Sequence, residues 1–238
     1  MPTTRRPLVT IVADADDTGA RATAQAVALA AGCGTRHTVW LVPTDALARG
    51  RWHHTVDPDG TPRTHVEPWP HRRSLADDQV GVVWFRSRCP AVTPSHGAGT
   101  AADRAYAATE LAALFSSWLL GLGDRVVTRP EGTSPAGAAW DATVWRALAA
   151  ARGAAVSTDP ASRRVLVAGD RVVGAATDAE ATLARDLAEQ AASRCFELTL
   201  DAHGRVVDAG VTPALTGPGH VAAAAGLLLR LAARGVAA

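Results

Sequence analysis

The sequence predicts an α/β protein, and two patterns carry that expectation. The chain opens β-α-β, with an apolar run Leu8–Ala13 (LVTIVA), an alanine-rich segment from Thr18 to Ala31, and a second apolar run His37–Val42. That order favours parallel pairing through a right-handed crossover. The second half reads helix, hairpin, helix, hairpin, helix, an α+β arrangement. The bulk properties allow both: 238 residues, 47% hydrophobic and 20% charged, suffice for one large domain or two small ones with real cores.

Leu8–Ala13 is bounded by Pro7 and Asp14 and reads as a strand buried on both faces. Asp16 or Asp17 can cap the helix that follows, which ends at Gly32. The same acidic run resembles the aspartate-rich opening of four-carbon acid sugar kinases over a short stretch only, and the cap remains its reading. Asp57-Pro58-Asp59-Gly60 is a turn signal between Trp52, Thr55 and Val56 on one side and Thr64 and Val66 on the other, which predicts a hairpin. Val80–Phe85 (VGVVWF) is another buried strand, ending at Arg86-Ser87-Arg88. Ala91–Thr100 is a Pro/Gly-rich loop, and Ala101 to Leu122 forms a long helix turning Tyr106, Leu111, Leu114, Phe115 and Trp118 toward a core.

Val126-Val127 is a brief strand, 129–137 a loop, and Trp140 to Arg152 a helix leading into 154–157. Val165–Ala168 and Arg171–Ala175 form a hairpin turning at Gly169-Asp170. Thr182 to Ser193 is helical, Phe196–Leu200 and Arg205–Val211 form a second hairpin, and a last helix begins near Gly219.

Several function classes are excluded or left without support. All 24 basic side chains are arginine, and the chain has neither lysine nor asparagine. A P-loop lysine or a lysine clamp on ATP therefore cannot exist here, and magnesium cannot have an asparagine ligand. High-GC coding bias accounts for the missing residue types without weakening that consequence. The net charge of +1 supplies no global field for nucleic acid or an anionic membrane. The three cysteines, Cys33, Cys89 and Cys195, are far apart and match neither a disulfide framework nor a CxxC metal site, which fits a reducing, cytoplasmic setting. The apolar run after the N-terminus is broken by Asp14, Asp16 and Asp17 before it can serve as a signal segment. Residues 221–233 are short, are interrupted by Arg230, and read as a packed helix rather than a membrane span. His53, His54, His65 and His71 match no structural zinc spacing and read as a polar hairpin. No G-x-S-x-G occurs, and Ser95-His96-Gly97 reads as polar loop.

Taken in order, these segments resemble the ATP-grasp superfamily, in particular its ligases that modify ribosomally made peptides. VVWFRSRCP (82–90) is similar to the strand that ends the family's first domain. The helix carrying Ala108-Thr109-Glu110 and the VVTRP segment (126–130) sit where the family has a helix and the strand before its central domain. VWRALAAARGAAVSTDP (144–160) and VLVAGDRVVGAAT (165–177) resemble a helix and a nucleotide-facing hairpin, and CFELTLDAHGRVVDAGVTPALTG (195–217) resembles the metal-binding hairpin. The resemblance implies a pre-ATP-grasp-like α/β domain over 1–128 and a reduced α+β ATP-grasp-like domain over 129–238. It also shows losses. The lysine-bearing sheet and the glycine-rich loop that hold the phosphates have no counterpart between 144–160 and 165–175, and Gly210 stands where the family has an asparagine ligand.

What the resemblance implies for function follows from those losses. Glu197 and Asp208 match two metal-ligating carboxylates and would hold one weakly bound magnesium ion at most, the competing reading being solvent-facing strand residues. Arg86 and Arg88, at the carboxyl end of a buried strand, would suit a carboxylate or phosphate unless nearby acids pair with them. The chain is expected to be a degenerate ATP-grasp-like protein, without a bound cofactor or ligase activity, that serves as a binding or accessory partner for a peptide or a ligase. The alternative is a minimal carboxylate–amine ligase using Mg-ATP. Neither nucleic acid nor membrane is expected as a partner, and homo-oligomerisation is left open.

Overall fold

A computed structural model describes residues 8–32, 38–70, 73–87, 99–132 and 134–234. Arg88, Cys33, Cys89, His71, Ser95, His96 and most of the Pro/Gly-rich loop lie outside these residues. The N-terminal half builds β1 (Leu8–Ala13), α1 (Thr18–Gly32), β2 (Thr38–Pro43), a short α2 (Thr44–Ala48), β3 (Arg51–Val56), β4 (Pro62–Glu67), β5 (Leu75–Ala76), β6 (Val80–Phe85) and α3 (Ala101–Gly121). The C-terminal half builds α4 (Ala142–Ala150), β7 (Arg163–Ala168), β8 (Arg171–Val173), α5 (Asp178–Gln190), β9 (Cys195–Leu200), β10 (Val206–Gly210) and α6 (Pro218–Arg234). The chain is thus of the α/β class that its opening predicts.

β1 lies between β2 and β6, parallel to both. Every residue of β1 and of β6 is buried, which is why both read as unbroken apolar runs. One face of this sheet, through Leu8, Val12, Val83 and Phe85, packs on Phe115, Trp118 and Leu119 of α3. The other face, through Val9, Ile11 and Trp84, packs on α6. Each large side chain removed from water here contributes about 1.5–3 kcal/mol. Thr100 and Asp103 close a capping box at the start of α3. Tyr106, expected in the core, is 68% exposed because the first turns of α3 run beyond the sheet and buried contact begins at Ala112.

The C-terminal sheet is antiparallel in the order β10-β9-β7-β8. Its two hairpins share an edge through β7 and β9, paired from Arg163↔Leu200 to Ala168↔Cys195. Val165, Val167, Phe196, Leu198 and Val206 face α4 and α5, with Trp145 and Leu187 fully buried between. The opposite face presents Leu166, Ala168 and Cys195 to α6. The last helix is therefore packed between the two sheets, and it brings the loop before it, 211–217, against the start of α1.

Helix α5 starts and stops earlier than its pattern suggests. The Thr177 hydroxyl accepts from the Glu180 N–H, setting the start, while Ala192 takes a left-handed φ of 46° that ends the helix and sends Ser193 into a bridge with Thr128.

Candidate ligand-binding cleft

The parallel strands β1 and β6 end side by side, and the side chains that follow them face one another. After β1 the chain turns through Asp14–Asp17, with the Asp17 N–H donating to the Asp14 carbonyl at 3.0 Å. Asp17 Oδ1 then accepts from the Ala20 N–H at 2.8 Å, the N-cap expected from the sequence. After β6, the Arg86 N–H donates to the Val12 carbonyl at 2.8 Å, prolonging the parallel ladder by one residue. That bond aims the Arg86 side chain back across the end of the sheet.

Arg86 is only 7% exposed. Its guanidinium lies over the Trp84 ring, 4.4 Å from the centroid. Nε donates to Asp17 Oδ2 at 2.7 Å, and Nη2 donates to Asp17 Oδ1 at 3.2 Å and to the Pro213 carbonyl at 2.9 Å. Nη1 is buried and has no hydrogen-bond partner among the described residues. The pair forms the floor of an open cleft of about 560 Å³ between the acidic turn 14–19 and the segment Thr212–Ala214. Gly19 makes a close approach at its rim, where a Cβ would lie 3.0 Å from the Ala214 carbonyl oxygen, tighter than an ordinary contact. Leu215, buried just behind, holds a left-handed φ of 53°, which a branched side chain adopts at a cost of about 1–3 kcal/mol.

Of the two sequence-predicted arginines, Arg86 is in the cleft and Arg88 lies outside the described residues. The pairing acid for Arg86 is the helix-capping aspartate itself. With the Arg86 charge matched by Asp17, the exposed Asp14 and Asp16 leave the mouth of the cleft acidic. Nothing in the sequence linked Asp17 to Arg86, since the contact spans 69 residues.

Glu197 and Asp208 do come to one face of the C-terminal sheet, by way of an irregularity. Val206 pairs with Leu200, yet Asp208 pairs with Thr199, so Val207 is an inserted bulge residue. Without that extra residue Asp208 would oppose Leu198 and point into the α4 side of the core. The Arg146 guanidinium of α4 donates to the Val207 carbonyl at 3.1 Å, satisfying the bulge.

Glu197 itself is buried and fully engaged. Arg164 Nη1 donates to its Oε1 at 2.5 Å, and the Ala214 N–H donates to Oε2 at 3.2 Å. Asp208 Oδ1 accepts from the Ala209 N–H at 2.8 Å. A magnesium ion demands near-octahedral oxygen coordination, and the Arg164 guanidinium occupies the position beside Glu197 where a cation's charge would act. Among the described residues no group of three or more His, Cys, Asp or Glu side chains is placed to hold a metal. As arranged, the Glu197 carboxylate is matched by Arg164 rather than left open to a cation. Arg164, which a register argument would place on the Glu197 face, is the residue that sequence reasoning passed over.

No family model and no curated protein matches the chain. Solved structures do. Macrocyclase MdnC bound with precursor peptide MdnA, from Microcystis aeruginosa MRC, superposes with a TM-score of 0.67 at 9% identity, over 94% of this chain and 99% of that one. The ATP-grasp ligase PsnB complexed with minimal precursor, Mg and ADP gives 0.64 at 14% identity, over 95% and 98%. A Chryseobacterium gregarium RiPP-associated ATP-grasp ligase in complex with ADP and a leader and core peptide gives 0.59 at 10% identity, over 93% and 96%. The fold is similar to that of these ligases.

Proposed function

We propose that this chain is a ligase-fold binding or accessory protein in the biosynthesis of a ribosomally made peptide, engaging a peptide or a partner ligase without driving ATP-dependent ligation itself. The observation that carries this reading is the Arg164–Glu197 pair, which places a guanidinium against the carboxylate that the resemblance aligns with a metal ligand. Two features of the chain support it. The stretch between α4 and β7, 151–162, has no glycine-rich loop, and lysine is absent throughout. The similar structures held precursor, leader or core peptides, which supports a peptide as the partner class. We take 1–128 and 129–238 as its two units and place the peptide contact at the cleft on Arg86, with Arg88 following it in sequence. Among the described residues no helix is long and apolar enough to cross a membrane.

A thermal-shift titration with Mg-ATP tests the reading. A ligand present at a hundred times its Kd stabilises a protein by about 2.7 kcal/mol. The expected result is an unchanged Tm at millimolar nucleotide. A clear rise in Tm, with phosphate release in the presence of a peptide, would establish the alternative, a minimal carboxylate–amine ligase using Mg-ATP.

A further inference from the structure

Three histidines lie on the β3–β4 hairpin, and the strand register sorts them. Side chains alternate along a strand, so the neighbours His53 and His54 cannot share a face. His54 turns inward, with Nδ1 2.9 Å from the Thr64 hydroxyl and Nε2 2.9 Å from the Ser117 hydroxyl. His53 turns outward and stands directly opposite His65, and both are exposed. On the far side of His65 the register partner in the next strand is Ala76, which presents only a methyl group there.

Directly opposed residues of an antiparallel pair hold their Cβ atoms about 4.5–5.5 Å apart. Two imidazoles so placed can converge on one ion at metal–nitrogen distances of about 2.0–2.1 Å. As a bare pair they bring only a liability, since like charges directly opposed destabilise a sheet once both rings are protonated. The flanking cross-strand neighbours do not compete for the rings: Arg51 stands opposite Glu67, and Arg63 is held by Asp57 at 2.6 Å.

We propose that His53 and His65 form a surface chelate for a divalent transition-metal ion. Imidazole donors suit copper(II), nickel(II) and zinc, with copper(II) bound most tightly by the usual order of divalent affinities. Two protein nitrogens bind the ion and water completes its coordination. The site is far in chemistry from the Glu197 carboxylate, which offers only hard oxygen donors, and it does not depend on the proposed peptide role.

Calorimetric titration of the untagged full chain with copper(II), joined to electron paramagnetic resonance of the bound ion, tests this. The expected result is one ion per chain with nitrogen couplings from imidazole. His53→Thr and His65→Thr should each weaken binding by on the order of a hundredfold, because removing one arm of a chelate forfeits its effective concentration. His203→Thr, in a distant exposed turn, should leave binding unchanged, and circular dichroism verifies that each variant is folded. Absence of copper binding by the wild type, binding retained by either hairpin variant, or binding lost only on His71→Thr would each overturn the assignment.

Discussion

Arg86 and Asp17 close a two-pronged ion pair across 69 residues of chain, Nε to Oδ2 at 2.7 Å and Nη2 to Oδ1 at 3.2 Å. The same guanidinium donates to the Pro213 carbonyl, so the end of β6, the start of α1 and the loop after β10 meet on one side chain. Arg86→Met would keep the contact with Trp84 while leaving Asp17 without its counter-charge and the Pro213 carbonyl without the Arg86 donor. Removing one member of a buried pair costs about 3–5 kcal/mol, and with Asp17 partly exposed the expected loss is about 2–4 kcal/mol. Urea denaturation measures it. A midpoint within about 0.5 kcal/mol of wild type would show that the tie is idle.

Glu197→Gln separates the two readings of that carboxylate. The amide oxygen can still accept from Arg164 or the Ala214 N–H, but the charge-assisted bond becomes an ordinary one, so a loss of about 1–2 kcal/mol is expected. Millimolar magnesium should leave the unfolding midpoints of both proteins unmoved. Stabilisation of the wild type by magnesium, absent in the variant, would restore Glu197 as a metal ligand.

Acid should weaken the link between α5 and the C-terminal sheet. Arg163 donates to both oxygens of Glu180 at 2.6 Å, and this bond, outweighing the upward push from burial and helped by the Ala176 N–H, holds the Glu180 carboxyl at about 2, below its usual 4.5. A carboxylate whose folded pKa is depressed adds stability that is complete above the unfolded pKa and is lost as pH falls through the folded one. Comparison of wild type with Glu180→Gln should therefore give a constant gap above about pH 5 that closes between about pH 4.5 and 2. With Arg163 about a third exposed, screening limits the gap to about 1–2 kcal/mol.

Gly174 and Gly60 both have left-handed backbone, with φ of 89° and 83°, yet they should respond unequally to alanine. A Cβ at Gly174, just after β8, would lie 2.3 Å from the Arg164 carbonyl oxygen, an overlap that only a displaced backbone relieves, whereas at Gly60 it meets open space. Gly60→Ala is expected to cost about 1 kcal/mol from the backbone alone, and Gly174→Ala at least twice that. Equal unfolding midpoints for the two variants would rule out the close approach at Arg164.

Much of the fold was legible because burial leaves a local trace. β1 and β6 announce themselves as apolar runs buried on both faces, and Asp17 marks a helix start through a bond made within one turn. Where the trace is not local, expectation and structure part. Tyr106 has the spacing of a core residue but sits on a turn of α3 that extends past the sheet. The five-residue α2 is too short to show a helical period.

The candidate site was less legible for the same reason. Sequence alone determined which residues could carry chemistry, Arg86, Glu197 and Asp208 among them, and it ruled out any lysine-based hold on phosphate. Tertiary structure decided what those residues do. An inserted Val207 turns Asp208 to the face of Glu197, the pairing of β7 with β9 sets Arg164 beside that glutamate, and α6, packed between the sheets, brings Pro213 down onto Arg86. Apolar periodicity records how each segment meets water, one segment at a time. Which charge meets which depends on registers between strands distant in sequence, and a shift of one residue reverses the face of every side chain involved.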